Sequence, residues 1–480
     1  MTLPKLTGAN LTMAEPTRRD GWRGLLLGGA ALIALATGFA LPSPVSAQTL
    51  SEALALAYET NPVLQAQRAR LRETDESLAQ ALSNWRPTVS VSGEIGKTTT
   101  EVERLGVEDR QSSNTRTPAR ATLAVNQPLY RGGRTTAETD RAEASIQAQR
   151  AQLFSTEQQI FLQAATAYMN VIRDEATLEL RVNNVQRLER QLEATRDQFN
   201  VGEVTRTDVS QSEARLAQSQ ADRVAAEGQL AASREEFTRV VGVAPTRLSE
   251  PDVVLDTLED REAVLAEAAR NNPNVLTQRF SIDSVEAQTR QIFGETLPQV
   301  TLSAEVSRFE NQQLRDSRTD EASIFATVSV PLYQSGSVSS RVRQSKQQEM
   351  RAHNALEDAR RSAVSSAAAA YDNLAAAKAR IDSLVTVITA AEIALDGVQE
   401  EAKVGSRTIL DILDAEQELL NAQVSLVSAQ RDEIVYKLEL QTAIGHLTAR
   451  DLGLQVQFYD FEEHYRETRG RWWGFDISED

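Results

Sequence analysis

The segment Val404 to Asp414, reading VGSRTILDILD, has a counterpart 203 residues earlier at Val201 to Gln211, reading VGEVTRTDVSQ. In both, Val-Gly closes a long helical pattern, a Thr (Thr205, Thr408) opens the next, and an Asp (Asp208, Asp411) follows three residues on. Gly202 and Gly405 suit the positive φ of a helix C-terminus, and Thr with Asp three residues later is a variant capping box. The duplication extends well beyond these turns. Asn61-Pro62 returns as Asn272-Pro273, Pro87 as Pro298, Pro128-Leu129-Tyr130 as Pro331-Leu332-Tyr333, and Ala-Tyr-Met-Asn at 167–170 as Ala-Tyr-Asp-Asn at 370–373. A duplicated chain folds as one unit used twice. This places a first repeat at 48–250, a second at 251–446 and a tail at 447–480.

Within each unit the hydrophobic period changes from helix to strand and back. Residues 50–84 read as helix interrupted at Asn61-Pro62, with Asn as cap and Pro in the first turn. After Pro87, Val89, Val91 and Ile95 alternate with Ser90, Ser92 and Glu94; after Pro298, Val300, Leu302, Ala304 and Val306 share one face. Period two marks strands with one apolar and one polar side. Return strands end in the two Pro-Leu-Tyr sequences, which gives hairpins with strands at about 88–97 and 119–127, then about 299–308 and 322–330. Polar loops are expected between them, at about 98–117 and 309–320. Helical patterns follow from Thr135 to Asn200 and from about Val338 to Lys403. At 1.5 Å per residue each spans about 100 Å, too long for a compact core. Return helices are expected from about Arg206 to Gly242 and Arg407 to Gly445, the second with a heptad stripe of Leu413, Leu420, Val427 and Ile434.

Composition and the N-terminus bound the function classes. Arg18, Arg19 and Arg23 precede an apolar run from Leu25 to Leu41, followed by Pro42, Pro44 and Val45-Ser46-Ala47. This reads as a cleaved secretory signal at 1–47; a retained anchor is disfavoured because the run is short and ends in Pro and small residues. Asp20-Gly21-Trp22 after the Arg pair fits twin-arginine export poorly. Residues 1–47 carry four basic and two acidic residues, so their removal moves the formal charge from −17 to −19. That balance argues against nucleic acid as a partner. With no Cys there is no disulfide, thiolate metal site or N-terminal lipid-bearing Cys. His353, His446 and His464 lie far apart, and no zinc, nucleophile-elbow or phosphate-loop pattern occurs, so neither enzymatic chemistry nor a cofactor or metal is expected. Gly132-Gly133 reads as a strand-to-helix bend.

No second apolar run is long enough to cross a bilayer as a helix, so a chain that enters a membrane must enter as strands. Four strands per chain cannot close a barrel, and lipid cannot satisfy an open edge. Copies must therefore pool their hairpins. Two would reach only the smallest, side-chain-filled barrel; three would make twelve strands around an open lumen.

The duplicated unit, PLYRGG and PLYQSG, and the VG-x-x-T-x-x-D turns resemble the TolC family of outer-membrane efflux proteins over essentially all of the chain after residue 47. The resemblance implies a mainly α fold with a small β part: long antiparallel coiled-coil helices in an α-barrel, and four strands per chain in a trimeric twelve-stranded β-barrel. It implies a homotrimer in outer-membrane lipid, with a helical tunnel in the periplasm that serves tripartite efflux or type I secretion. Its partners would be a periplasmic adaptor and an inner-membrane transporter. It also implies a gate in which Arg407 joins Thr207 and Asp208 of the neighbouring protomer, and a constriction lined by Asp411 and Asp414. Three apart on a helix, these two would form stacked carboxylate rings attractive to cations. The chain departs from the family at Ala402, where its best-known member has a gate Tyr, so a looser closed state is expected.

Other readings stand beside these. Asp208 and Asp411 are placed to cap helices, which alone could account for them. Arg407 could be a solvated surface residue. The tail, with Phe458, Tyr459, Phe461, Tyr465, Trp472, Trp473 and Phe475 among charges, is too aromatic for simple disorder and could pack on the helices or meet a partner. For the whole chain the alternative is a non-conducting periplasmic coiled-coil adaptor or spacer. It would explain the heptads but not two hairpins of membrane-crossing length.

Overall fold

A computed structural model describes residues 48–102, 112–251, 260–312, 314 and 316–476; the expected leader lies outside the described residues. Two helices open the chain, α1 (Leu50–Thr60) and α2 (Pro62–Ser83). Asn61 breaks them as expected, its side chain accepting from Val63 N–H with Pro62 at the first helical position. Then come β1 (Thr88–Ile95), β2 (Thr98–Val102), β3 (Ser112–Arg116), β4 (Ala119–Arg131), α3 (Arg134–Asn200) and α4 (Arg206–Val241). The second unit repeats the order as α5 (Arg261–Asn271), α6 (Pro273–Phe293), β5 (Gln299–Glu310), β6 (Arg318–Ser329), α7 (Ser337–Lys403) and α8 (Ile409–Ile444). A last helix, α9 (Phe461–Gly470), follows in the tail.

The duplication is repeated in the contacts. Asn61 donates from Nδ2 to Val240 O at 2.9 Å, and Asn272 donates to Ala443 O at 3.0 Å, so each unit pins its helix break to the end of its own return helix. At the strand-to-helix junctions, Gly132 (φ 66) packs against Gly294 so closely that a Cβ on either would strike the other's carbonyl oxygen. Only glycine fits that crossing.

One antiparallel sheet takes strands from both units in the order β1-β4-β5-β6. The register sets Val91, Leu123, Val306 and Ala322 in one row, and Val89, Val125, Ala304 and Ile324 in another. One face is therefore apolar across all four strands. The opposite face carries Ser90, Ser92, Thr122, Ser303, Glu305 and Ser307, with Arg120 on Glu305 at 2.8 Å. The apolar face stops at its far end with Arg308, Asp320 and Arg318, which ion-pair along it. Val91, Val306 and Ile324 are exposed on this face, and β1 and β6 are the sheet's two edges.

Two expectations need correction. Residues 98–117 are not all loop: β2 and β3 form a two-stranded ribbon with Thr98 opposite Arg116, with 103–111 outside the described residues. The ribbon's Thr- and Ser-rich strands have no face to bury, so no alternation marks them. Likewise the second loop is shorter than 309–320, because β5 runs to Glu310 and β6 starts at Arg318. The two Pro-Leu-Tyr copies also differ. Pro128 to Tyr130 lies inside β4 at a register shift, whereas β6 ends at Ser329, before Pro331.

The thickest core lies where α1, α2 and α3 meet, around Leu54, Leu64, Leu71, Ile146, Leu153, Phe161 and Tyr168. The tail packs here: Tyr459 N–H donates to Tyr58 Oη, Arg68 lies over the Tyr58 and Tyr459 rings, and His464 Nδ1 meets buried Asp75 at 3.1 Å. Beneath it Glu157, 6 % exposed, accepts the Ala449 N–H at 2.7 Å. Burial pushes the Glu157 carboxyl up to about 7 against the pull of that hydrogen bond and of Arg68. The folded carboxyl thus holds its proton up to about pH 7, the unfolded one only to 4.5. Folding takes up a proton between these values, so this site's stabilisation is full below the lower value and is lost as pH rises to the upper. Glu157→Gln keeps a carbonyl for Ala449 N–H and should flatten that dependence. Thermal unfolding at pH 5.5 and 8 checks it: wild type should lose about 2 kcal/mol more than the variant, since about 1.5 of the 2.5 pH units between the two values lie inside that window, and equal losses would refute the assignment.

Candidate functional site

The helix-to-helix turns of the two units lie side by side at the end farthest along the long helices from the sheet. Gly202 (φ 85) and Gly405 (φ 79) make the reversals. Each return helix then opens with a full capping box. Thr205 N–H donates to Asp208 Oδ2 at 2.8 Å and Thr205 Oγ1 accepts from Asp208 N–H at 3.3 Å; Thr408 and Asp411 do the same at 2.9 and 3.3 Å. Such a cap contributes about 1 kcal/mol to its helix. The capping reading of Asp208 and Asp411 therefore holds within the chain, yet each cap uses only Oδ2 and leaves Oδ1 outside it. The Thr408 backbone N–H, followed by its hydroxyl, holds the Asp411 carboxyl below its ordinary range.

The turns are fixed together by a small apolar cluster of Leu188, Ile409 and Leu413, with Val204 and Leu216 against it. Between them opens a cleft whose walls include Gln198, Thr205 and Asp208 from one turn and Lys403, Arg407 and Thr408 from the other. Ala402 also lines it. Arg407 is not simply solvated: its Nε donates to Glu401 Oε2 at 2.8 Å inside its own turn. Thr207 is exposed in the first turn of α4. Asp208 and Arg407 thus face one cleft within the protomer, each with a local partner.

Asp414 has a partner that sequence reasoning missed. Arg215, in α4, reaches across to its Oδ1 at 2.5 Å. No local pattern announces this pair, because 199 residues separate its members. Asp411 and Asp414 do share the opening turns of α8, but only Asp411 is without an arginine at salt-bridge distance within the described residues. Elsewhere, Glu286, Glu349 and His353 bring metal-ligating atoms within 4.8 Å of one another between α6 and α7, nearer the sheet than the turns.

The chain matches the family described as outer membrane efflux protein over residues 53–243 and 264–446, the two units in turn. It is 34% identical over 433 residues to the outer membrane efflux protein BepC of Brucella suis, across 89% of this chain and 92% of that one. It is 30% identical over 315 residues to the outer membrane protein TolC of Escherichia coli, across 62% of this chain and 64% of that one. The fold is similar to the crystal structure of the outer membrane protein VceC of Vibrio cholerae, with a TM-score of 0.71 at 22% identity, over 82% of this chain and 96% of that one. With both units matched, and a sheet that is apolar on one side, the chain belongs to the outer membrane efflux protein family, the TolC-like channels that sit in the outer membrane with a helical tunnel in the periplasm.

Proposed function

We propose that three copies close a twelve-stranded barrel and a helical tube, and that this tube is the passive exit duct of a tripartite pump or type I secretion system. A periplasmic adaptor and an inner-membrane transporter complete the path. The observation that carries the reading is the sheet: four strands, apolar on one face, with both edges unpaired and about 100 Å of helix attached. Exposed Val385, Val387 and Ile393 on α7 likewise ask for a neighbour. A periplasmic spacer has no use for such a sheet. At the tip, Arg407 of one protomer reaching Asp208 Oδ1 and the Thr207 region of the next would hold the tube shut, with Asp411 and Asp414 lining the constriction. Gly202 and Gly405 shape the turns that bring these residues to the axis.

In a planar bilayer the purified protein should conduct ions as a trimer and be blocked by multivalent cations added from the periplasmic side. Asp411→Asn with Asp414→Asn should weaken the block, and Arg215→Gln, which unmasks Asp414, should strengthen it. A stable soluble monomer would sink the channel reading. Block unchanged in both variants would remove the two aspartates from the pore.

A further inference from the structure

Helix α9 runs alongside α2 toward the sheet. Its start lies by α3, where Phe461 meets Phe154 edge-on and the Arg150 guanidinium, which also pairs with Glu462 at 2.5 Å. Its middle is held by His464 on Asp75. Its end delivers the chain to the base of β1, where Arg86 donates to Arg471 O at 2.8 Å and lies 4.5 Å from the centre of the Trp472 ring. The fold thus carries the tail from the thick core to the helix–strand junction and leaves Trp472, Trp473 and Phe475 there at 71, 88 and 97 % exposure.

Three further features belong to this level. Every tryptophan among the described residues is here, because Trp85, whose carbonyl accepts from Gln127 of β4, precedes β1 directly. Tyr130 pairs with Val300 at the lower rung of the sheet, in the register of the apolar face, and is itself exposed. Arg86 and Arg471 have no carboxylate at salt-bridge distance among the described residues, in a chain whose net charge is −17. Exposed Trp and Tyr beside two arginines that donate to backbone carbonyls, Arg86 to Arg471 O and Arg471 to Asp476 O, at the edge of an apolar membrane-facing surface, match the chemistry of the lipid headgroup layer. Indole is amphipathic and sits there, and guanidinium meets phosphate.

We propose that the segment Arg471–Phe475 is an interfacial anchor that inserts Trp472, Trp473 and Phe475 among the phospholipid headgroups of the periplasmic leaflet, with Arg86 and Arg471 on the phosphates. This rests on the sheet crossing the membrane and adds a lipid-binding site that the barrel itself does not supply. Continuity decides for lipid over a protein partner. The segment lies at the level of Tyr130, directly below the apolar face, and α9 fixes it there by contacts within the chain. The anchor would set the height of the tube relative to the bilayer from outside the barrel wall.

The test uses the full-length exported protein in vesicles of phosphatidylethanolamine and phosphatidylglycerol, brominated either close to the headgroup or near the end of the acyl chain. Trp85→Phe leaves Trp472 and Trp473 as reporters; Trp472→Phe with Trp473→Phe leaves Trp85. Emission of the Trp85→Phe protein should fall at least about twofold with the shallow bromine and much less with the deep one, because indoles settle at the headgroup level. The same protein should conduct, which establishes insertion independently. Conducting channels whose Trp472 and Trp473 are quenched by aqueous iodide and untouched by brominated lipid would overturn the anchor while leaving the channel standing, and would point to the lumen or a protein partner. Protein that neither conducts nor is quenched would overturn both.

Discussion

Val306→Arg should abolish the assembled protein in the outer membrane, while Ser303→Arg should leave it in place. Val306 sits in the apolar row with Val91, Leu123 and Ala322, and is exposed there. Arginine on a lipid-facing position near the bilayer middle costs about 2–4 kcal/mol, and threefold symmetry would impose it three times. That total rivals the net stability of an ordinary domain. Ser303 lies three residues away on the opposite, polar face, where a long cation can reach water. Heat-modifiable migration of outer-membrane extracts reads the outcome. Equal loss in both variants would mean that the two faces are not lipid and lumen.

Opening of the gate is the second large effect. Arg407→Ser should raise open probability severalfold without loss of the trimer, and Asp208→Asn should do the same with little further gain in the double variant. Asparagine is preferred to alanine at 208 because it keeps an acceptor for the Thr205 cap, whose two contacts converge on Oδ2. A wild type with Ala402 at the tip should itself leak. Glu401 complicates the picture usefully. It is the local partner of Arg407 at 2.8 Å, so Glu401→Gln should release the arginine toward the neighbouring protomer and favour closure. Single-channel recording at low ionic strength, where exposed charges are least screened, distinguishes these variants. Identical traces for wild type and Arg407→Ser would show that the arginine is held by its own turn alone.

Those contacts mark where sequence reasoning reached its limit. Each turn was legible because its chemistry is local: the Gly reversal and the Thr/Asp box lie within seven residues, and they occur twice. The four membrane strands were legible because one face must be apolar from end to end. β2 and β3 were not, since their sequences carry no apolar alternation and Thr98, Thr100, Ser112 and Asn114 read like any polar loop. Heptads found the long helices but drifted along the contact line: Leu413 and Leu420 are buried, whereas further on Ala429, Val435 and Leu438 are buried and the heptad positions Val427 and Ile434 only partly so. A straight helix of 3.6 residues per turn slips against a seven-residue repeat in this way. Pairs that join distant segments left no trace at all. Arg215 with Asp414 and His464 with Asp75 are set by how helices lie together, and the second decides where the aromatic tail goes.

The claim on which the rest depends is that β1 of one protomer pairs with β6 of the next until three copies close. The absence of native cysteine makes this directly measurable. Within one chain β1 and β6 are separated by β4 and β5, so at about 4.8 Å per strand step their cysteines lie beyond disulfide reach. Val91→Cys combined in turn with cysteine at Ala322, Ile324, Ala326 or Val328 samples the register between the two edges. In at least one combination, oxidation in intact cells should give a covalent ladder that ends at the trimer under denaturing conditions and collapses to monomer on reduction. A ladder ending at dimer or tetramer, or monomer alone in every combination, would contradict the closed trimer.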